Sequence, residues 1–205
     1  MVERKRLAIL ALAAALAACH EPPQPVKTFH ATDITGVDWA RDFQLTDHTG
    51  RPRSLSDFRG KVVLVFFGFT HCPDACPTAL AEMAQVVDRL GPDGARVQVI
   101  FITVDPERDT AEVLAHYVPA FHPSFIGLRG SAEETARTAK EFKVYYGANK
   151  SEQGADSKNY VVDHTSGIFV LDPRGKARLY VNANGRTVDR MVADVKRLLK
   201  EGGPK

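Results

Sequence analysis

Six residues in succession, Val62 to Phe67, are aliphatic or aromatic with no polar interruption. Such a run reads as a strand buried on both faces. A strand of that kind needs cover on both sides, which a single chain supplies with helices. Val97 to Val104 is a second, nearly continuous apolar run and predicts a second central strand. Between them Leu80, Met83, Val87 and Leu90 recur on one helical face, and Gly91-Pro92-Asp93-Gly94 stops that helix. These elements bound the fold class: α/β, with a central mixed sheet and helices on both faces.

The remaining pattern fits that frame. Phe43 and Leu45 alternate with polar residues as in a strand, and Asp47-His48-Thr49-Gly50 is a turn. Asp109 with Glu112 is spaced like a capping box for a helix from Thr110 to Tyr117. Ser131 with Glu134 repeats the spacing for a helix through Glu141. Residues 147–158 are polar, contain Gly147 and Gly154, and read as an exposed insertion. Tyr160–Val162 and Ile168–Leu171 are strand-like and flank Asp163-His164. Arg178–Val181 returns beyond the Asp172-Pro173-Arg174-Gly175 turn as a hairpin partner, and Val188 to Leu199 is a closing amphipathic helix.

The start of the chain has the marks of export. Arg4-Lys5-Arg6 precedes a short apolar core, Leu7 to Ala18, that is shorter than the roughly 20 residues a membrane span needs. The core ends in Leu16-Ala17-Ala18-Cys19, which resembles a bacterial lipidation signal. The expected organisation is a signal peptide over 1–18, a lipidated Cys19 with a Pro-rich tether over 19–37, and one domain over 38–205. The expected location is outside the cytosol, anchored by lipid and facing the periplasm or the cell exterior. The 27 basic and 25 acidic residues give a net charge of +2. Removing Arg4, Lys5, Arg6 and Glu3 leaves 24 of each sign, so no basic surface for nucleic acid is expected.

With Cys19 assigned to lipid, Cys72 and Cys76 are the only free thiols. They lie in Gly68-Phe69-Thr70-His71-Cys72-Pro73-Asp74-Ala75-Cys76-Pro77, between a buried strand and a helix that begins near Pro77. α/β folds place their chemistry in such loops. A disulfide closing so short a loop adds little stability, so a redox or metal role is favoured. Positions i and i+4 share a helical face, and a helix start lowers thiol pKa values, predicting two convergent thiolates. Two thiolates form a soft site suited to Cu(I), which one neutral imidazole would complete; they are too few for closed zinc. The candidates are His30, His48, His71, His116, His122 and His164. His164 stands out because Asp163-His164 interrupts an apolar strand pattern at an element end. His71 ranks second, since neighbours on an extended strand end point apart.

The Cys loop, together with Thr103-Val104-Asp105-Pro106-Glu107-Arg108-Asp109-Thr110 and Val162-Asp163-His164-Thr165, resembles the Sco/SenC family. The resemblance runs from about Phe43 to Leu199. It implies a thioredoxin-like fold with an N-terminal extension and an insertion before the C-terminal hairpin. It implies a copper site, Cu(I) or Cu(II), at Cys72, Cys76 and His164, and a part in building the copper A centre of cytochrome c oxidase. The implied partners are the copper A subunit of that oxidase and other periplasmic copper or thiol-redox proteins. Asp105 and Asp163 are candidates to orient the site from behind.

Three functions compete. The first is a copper-binding assembly factor, a binding protein rather than an enzyme. The second is a thiol–disulfide oxidoreductase that uses Cys72 and Cys76 as a redox-active pair to keep the oxidase cysteines reduced. The third, a thiol peroxidase, ranks last because its Thr and Pro pattern is incomplete. His164 discriminates between the first two: metal binding needs it, and dithiol exchange does not.

Overall fold

The computed structural model describes residues 29–149 and 160–202. Cys19, the signal and most of the tether lie outside the described residues, as does the polar segment 150–158. The elements in chain order are β1 (Thr32–Asp33), β2 (Gln44–Asp47), β3 (Pro52–Ser54), β4 (Val62–Gly68), α1 (Ala75–Arg89) and β5 (Val97–Thr103). There follow α2 (Ala111–Tyr117), β6 (Ile126–Arg129), α3 (Ala132–Glu141), β7 (Tyr146–Asn149), β8 (Val161–His164), β9 (Ile168–Leu171), β10 (Ala177–Val181) and α4 (Val188–Glu201).

The main sheet has eight strands in the order β1-β10-β9-β4-β5-β6-β2-β3. β4, β5 and β6 run parallel, and β9 lies antiparallel on the other side of β4. Every residue of β4 and β5 is buried, as two continuous apolar runs require. Alternation sends Phe66 to one face, with Phe101 and Tyr117, and Phe67 to the other, with Phe142 and Phe169. α4 packs beside α1. This is the expected mixed sheet flanked by helices.

Four local expectations change. Residues 29–37 are part of the domain rather than the end of a tether. β1 pairs with β10, and Phe29, Ala31, Ile34 and Val37 pack against the core. The buried Asp194 carboxylate accepts the amides of His30 at 3.0 Å and Ala31 at 2.9 Å. The Arg197 guanidinium lies 4.3 Å from the centre of the Phe29 ring. Low apolar content hid this segment, because much of its hold is backbone pairing.

The second change is at α1, which begins at Ala75 rather than Pro77. Proline is tolerated there because first-turn amides have no intrahelical acceptor in any case. Thirdly, Thr110 caps α2 by accepting the Val113 amide, so Asp109 is not the cap; the Ser131–Glu134 capping box on α3 forms as the spacing implies. Lastly, Asp163 and His164 lie within a strand, β8, that among the described residues pairs only with β7, in a separate two-stranded sheet.

Candidate metal and thiol site

The Cys loop leaves the C-terminal end of β4 and is fixed from below. Gly68, the last residue of β4, allows the next layer to close in. A Cβ there would stand 2.8 Å from Phe101 Cε2, 2.9 Å from Cys76 Sγ and 3.0 Å from Phe66 Cε1. Only glycine lets the sulfur rest against the strand end.

Asp109 holds the loop from the segment that joins β5 to α2. It is 0% exposed. Its carboxylate accepts the Thr70 amide at 3.0 Å, the Thr70 hydroxyl at 2.6 Å and the Thr103 hydroxyl at 2.6 Å. Burial pushes its carboxyl up, against the pull of those three donors. Sequence reasoning read Asp109 as a helix cap, because its buried partners are 39 and 6 residues away and nothing local announces them.

Cys72 is half-buried and Cys76 is fully buried, and neither is in a disulfide. The Cys76 amide donates to Cys72 Sγ at 3.4 Å, so the first turn of α1 folds one cysteine over the other. Cys76 Sγ lies 3.5 Å from Nε2 of His164. The His164 imidazole is held edge-on by Phe66 at 6.1 Å and Phe69 at 5.9 Å between ring centres. Nδ1 of His164 lies 3.1 Å from the Thr165 carbonyl oxygen, which can only accept. The proton is therefore on Nδ1, and the Nε2 lone pair faces the sulfur.

Burial dominates the electrostatics. It pushes the Cys76 thiol up, where the helix-start argument predicts a lowered value; Cys76 is fully buried, and desolvation wins. Burial also lowers the His164 pKa, over the opposing pull of the Thr165 carbonyl and Asp163, so the imidazole is kept neutral.

The other candidates fall outside this contact. His71 is exposed, with a side chain 53% accessible, and its Nδ1 lies 3.2 Å from Thr70 Oγ1 and 3.9 Å from Asp109. Asp163 points away on the exposed face of β8, and the Thr165 carbonyl takes the orienting role expected of it. Asp105 is buried but sits one layer back, accepting from Arg108 and, at 2.8 Å, from the Tyr160 hydroxyl. His48 accepts the Gly127 amide at 3.0 Å, and His122 accepts from Ser124, so both are structural.

Among the described residues, no three His, Cys, Asp or Glu side chains already form a metal-holding cluster. Two contacts exist instead, Cys72 with Cys76 and Cys76 with His164. Were they to hold a metal, these side chains would offer a soft set: two sulfurs and a neutral imidazole nitrogen, backed by aromatic rings.

Residues 32–200 match the SCO1/SenC family model. The chain is 45% identical to the mitochondrial SCO2 homologue of Mus musculus over 158 residues, which are 76% of this chain and 60% of that protein. It thus spans less than two thirds of that relative's length. The solution structure of apo Sco1 from Thermus thermophilus superposes with a TM-score of 0.75 at 42% identity, covering 85% of this chain and 99% of that one. The copper-bound structure of ScoI from Bradyrhizobium japonicum gives 0.68 at 38% identity, covering 77% and 97%. The match to Sco structures identifies the mixed sheet as thioredoxin-like.

Proposed function

The chain belongs to the SCO1/SenC family, and from that premise we propose that it is a copper-binding protein that serves cytochrome c oxidase assembly. Relatives whose structures hold copper support the cargo. We further propose Cys72, Cys76 and His164 as its ligands and the copper A subunit as the acceptor. The observation that carries this reading is the 3.5 Å approach of Nε2 of His164 to Cys76 Sγ, with the Nδ1 proton already engaged by Thr165. A neutral nitrogen beside two sulfurs suits Cu(I). Binding would release the Cys76 thiol proton to solvent, while the Nε2 lone pair of His164 already faces the sulfur and would need no change of tautomer. Transfer to a partner then proceeds by ligand exchange at the half-buried Cys72 side.

The test is anaerobic Cu(I) titration of the reduced protein. One copper should bind. Cys72→Ala or Cys76→Ala should nearly abolish binding, and His164→Ala should weaken it with the fold intact. X-ray absorption showing two sulfurs and no nitrogen, unchanged in His164→Ala, would refute the imidazole ligand.

A second reading has its own observation. One cysteine is accessible and its neighbour is buried, as in a pair where one thiol attacks a disulfide and the other resolves it. On this reading the pair keeps oxidase cysteines reduced. Only thiolates bind the metal, so copper-loaded protein should resist a mild oxidant that converts the apo protein to a Cys72–Cys76 disulfide. Equal alkylation time courses for both forms would rule out that coupling.

Among the described residues no helix is long and apolar enough to cross a membrane. We assign the anchor to a lipidated Cys19, after a signal over 1–18, in an exported protein. An intact mass showing an unmodified N-terminus elsewhere would overturn that assignment.

A further inference from the structure

His164 is carried on an arm. β7 and β8 pair with each other, and among the described residues neither pairs with a strand of the eight-stranded sheet. The Thr165–Tyr145 backbone bond closes the arm on itself. Beyond the short link from His164 to β9, side chains therefore bear on its distance from the thiols.

Arg108 reaches both the Cys loop and the start of the arm. It lies in the loop after β5, with a side chain 11% exposed. Its Nε donates to the Asp105 carboxylate. Its Nη1 donates at 2.9 Å to the carbonyl of Tyr160, the residue before β8 begins. The guanidinium lies 3.6 Å from the centre of the Tyr160 ring. It also lies 5.7 Å from the centre of the Phe69 ring, which meets the His164 imidazole edge-on. The Tyr160 hydroxyl completes the link by donating to the other Asp105 oxygen at 2.8 Å. Burial, with that hydrogen bond, pushes the hydroxyl up to about 12, so it remains a donor throughout the neutral range.

We propose that Arg108 is a positioning residue for the imidazole. It seats the start of β8 against the Cys loop and so sets where Nε2 of His164 stands relative to Cys76 Sγ, while none of its contacts given above is to a sulfur. The inference rests on the reading of His164 as a copper ligand. The chemistry of the side chain fits the task. A planar guanidinium can stack on one ring, approach a second, and donate in two directions in one plane. A lysine ammonium carries the same charge but cannot keep the stack and both in-plane bonds together.

The test uses the full chain with Cu(I) alone as the probe, competed against a chromophoric chelator. The forms are the natural protein, Arg108→Lys, His164→Ala and the double variant. Arg108→Lys should weaken copper binding by about tenfold, the lower end of what loss of an outer partner costs a metal site. X-ray absorption should keep two sulfurs and lose nitrogen scattering. In the His164→Ala background Arg108→Lys should have no further effect, because a residue acting only through the imidazole is fully coupled to it. Tyr160→Phe keeps the stack and the carbonyl acceptor but loses the bond to Asp105. It should show a smaller loss with the same non-additivity, and it carries the test if Arg108→Lys fails to fold. Unchanged affinity in Arg108→Lys, or an equal loss with and without His164, overturns the proposal. If His164→Ala itself binds copper as the natural protein does, the ligand reading falls and this inference falls with it.

Discussion

Adding one methyl group at Gly68 tests the packing that brings Cys76 to the strand end. The new Cβ in Gly68→Ala would stand 2.8 Å from Phe101 Cε2, 2.9 Å from Cys76 Sγ and 3.0 Å from Phe66 Cε1. Ordinary contacts begin near 3.5 Å, so the shortfall at the sulfur is about 0.6 Å. No neighbour yields easily. Both rings are fully buried in the central strands, and Cys76 is buried in the first turn of α1. Overpacking of this kind costs about 1–3 kcal/mol. At roughly 2–4 °C per kcal/mol for a domain of this size, Tm should fall by about 2–12 °C. The sulfur lies on the path of least resistance, because the rings are locked on both sides by the sheet. A shift of about 0.5 Å is enough to spoil a preorganised site, so Cu(I) affinity should fall at least tenfold, about 1.4 kcal/mol. The assays are thermal unfolding of the apo protein by circular dichroism and Cu(I) competition. Gly185→Ala is the control, since a Cβ there meets nothing within 4 Å. A Gly68→Ala protein with the Tm and copper affinity of that control would refute the account of how Cys76 is seated.

Copper affinity should also depend on pH. Burial keeps the Cys76 thiol protonated above its ordinary range, so copper must displace a proton there. The dissociation constant should rise about tenfold for each unit of pH lowered, from this thiol alone. The neutral imidazole of His164 should add no further slope until below the ordinary histidine range, because its own pKa is lowered. Affinity constant from pH 6 to 8 would sink this reading. Removing residues through 37 should destabilise the domain. It strips the two amides from the Asp194 carboxylate, worth about 1.5–3 kcal/mol each as bonds to a charged group, along with β1. A chain beginning at Asp38 should melt well below one beginning at His20; coincident melting curves would show that the segment only rests on the surface.

What could be read in the sequence followed from signals that are local. Val62–Phe67 and the core of Val97–Val104 announce buried strands because every neighbour is apolar. The Ser131–Glu134 box announces a helix because both partners fall within one turn. The Cys72–Cys76 pair was visible for the same reason. The parts that were not visible depend on residues far apart in the chain. Asp109 looks like a cap until Thr70 and Thr103 are seen to donate to it. The first strand looks like tether until Asp194, more than 160 residues away, collects its amides. A lowered thiol pKa follows from a helix start, but the desolvation that reverses it comes from tertiary burial of Cys76, which no neighbour in sequence announces. Arg108 carries no local signal, since its stack on Tyr160 joins residues 52 apart.

The separateness of the β7–β8 arm divides the donor set by its resistance to local opening. β4 is hydrogen-bonded on both sides, to β5 and β9, so its amides should exchange with solvent only when much of the domain opens. Among the described residues each strand of the arm has one ladder partner, and its amides should exchange through a smaller and more frequent event. The two sulfurs stand in the loop and first helical turn that follow the slow strand β4, and the imidazole stands on the fast arm. In the proposed site, the nitrogen can therefore swing away while the dithiol keeps its grip. A metal held there would keep its two sulfurs, and the place the imidazole leaves would be open to a ligand that an acceptor brings.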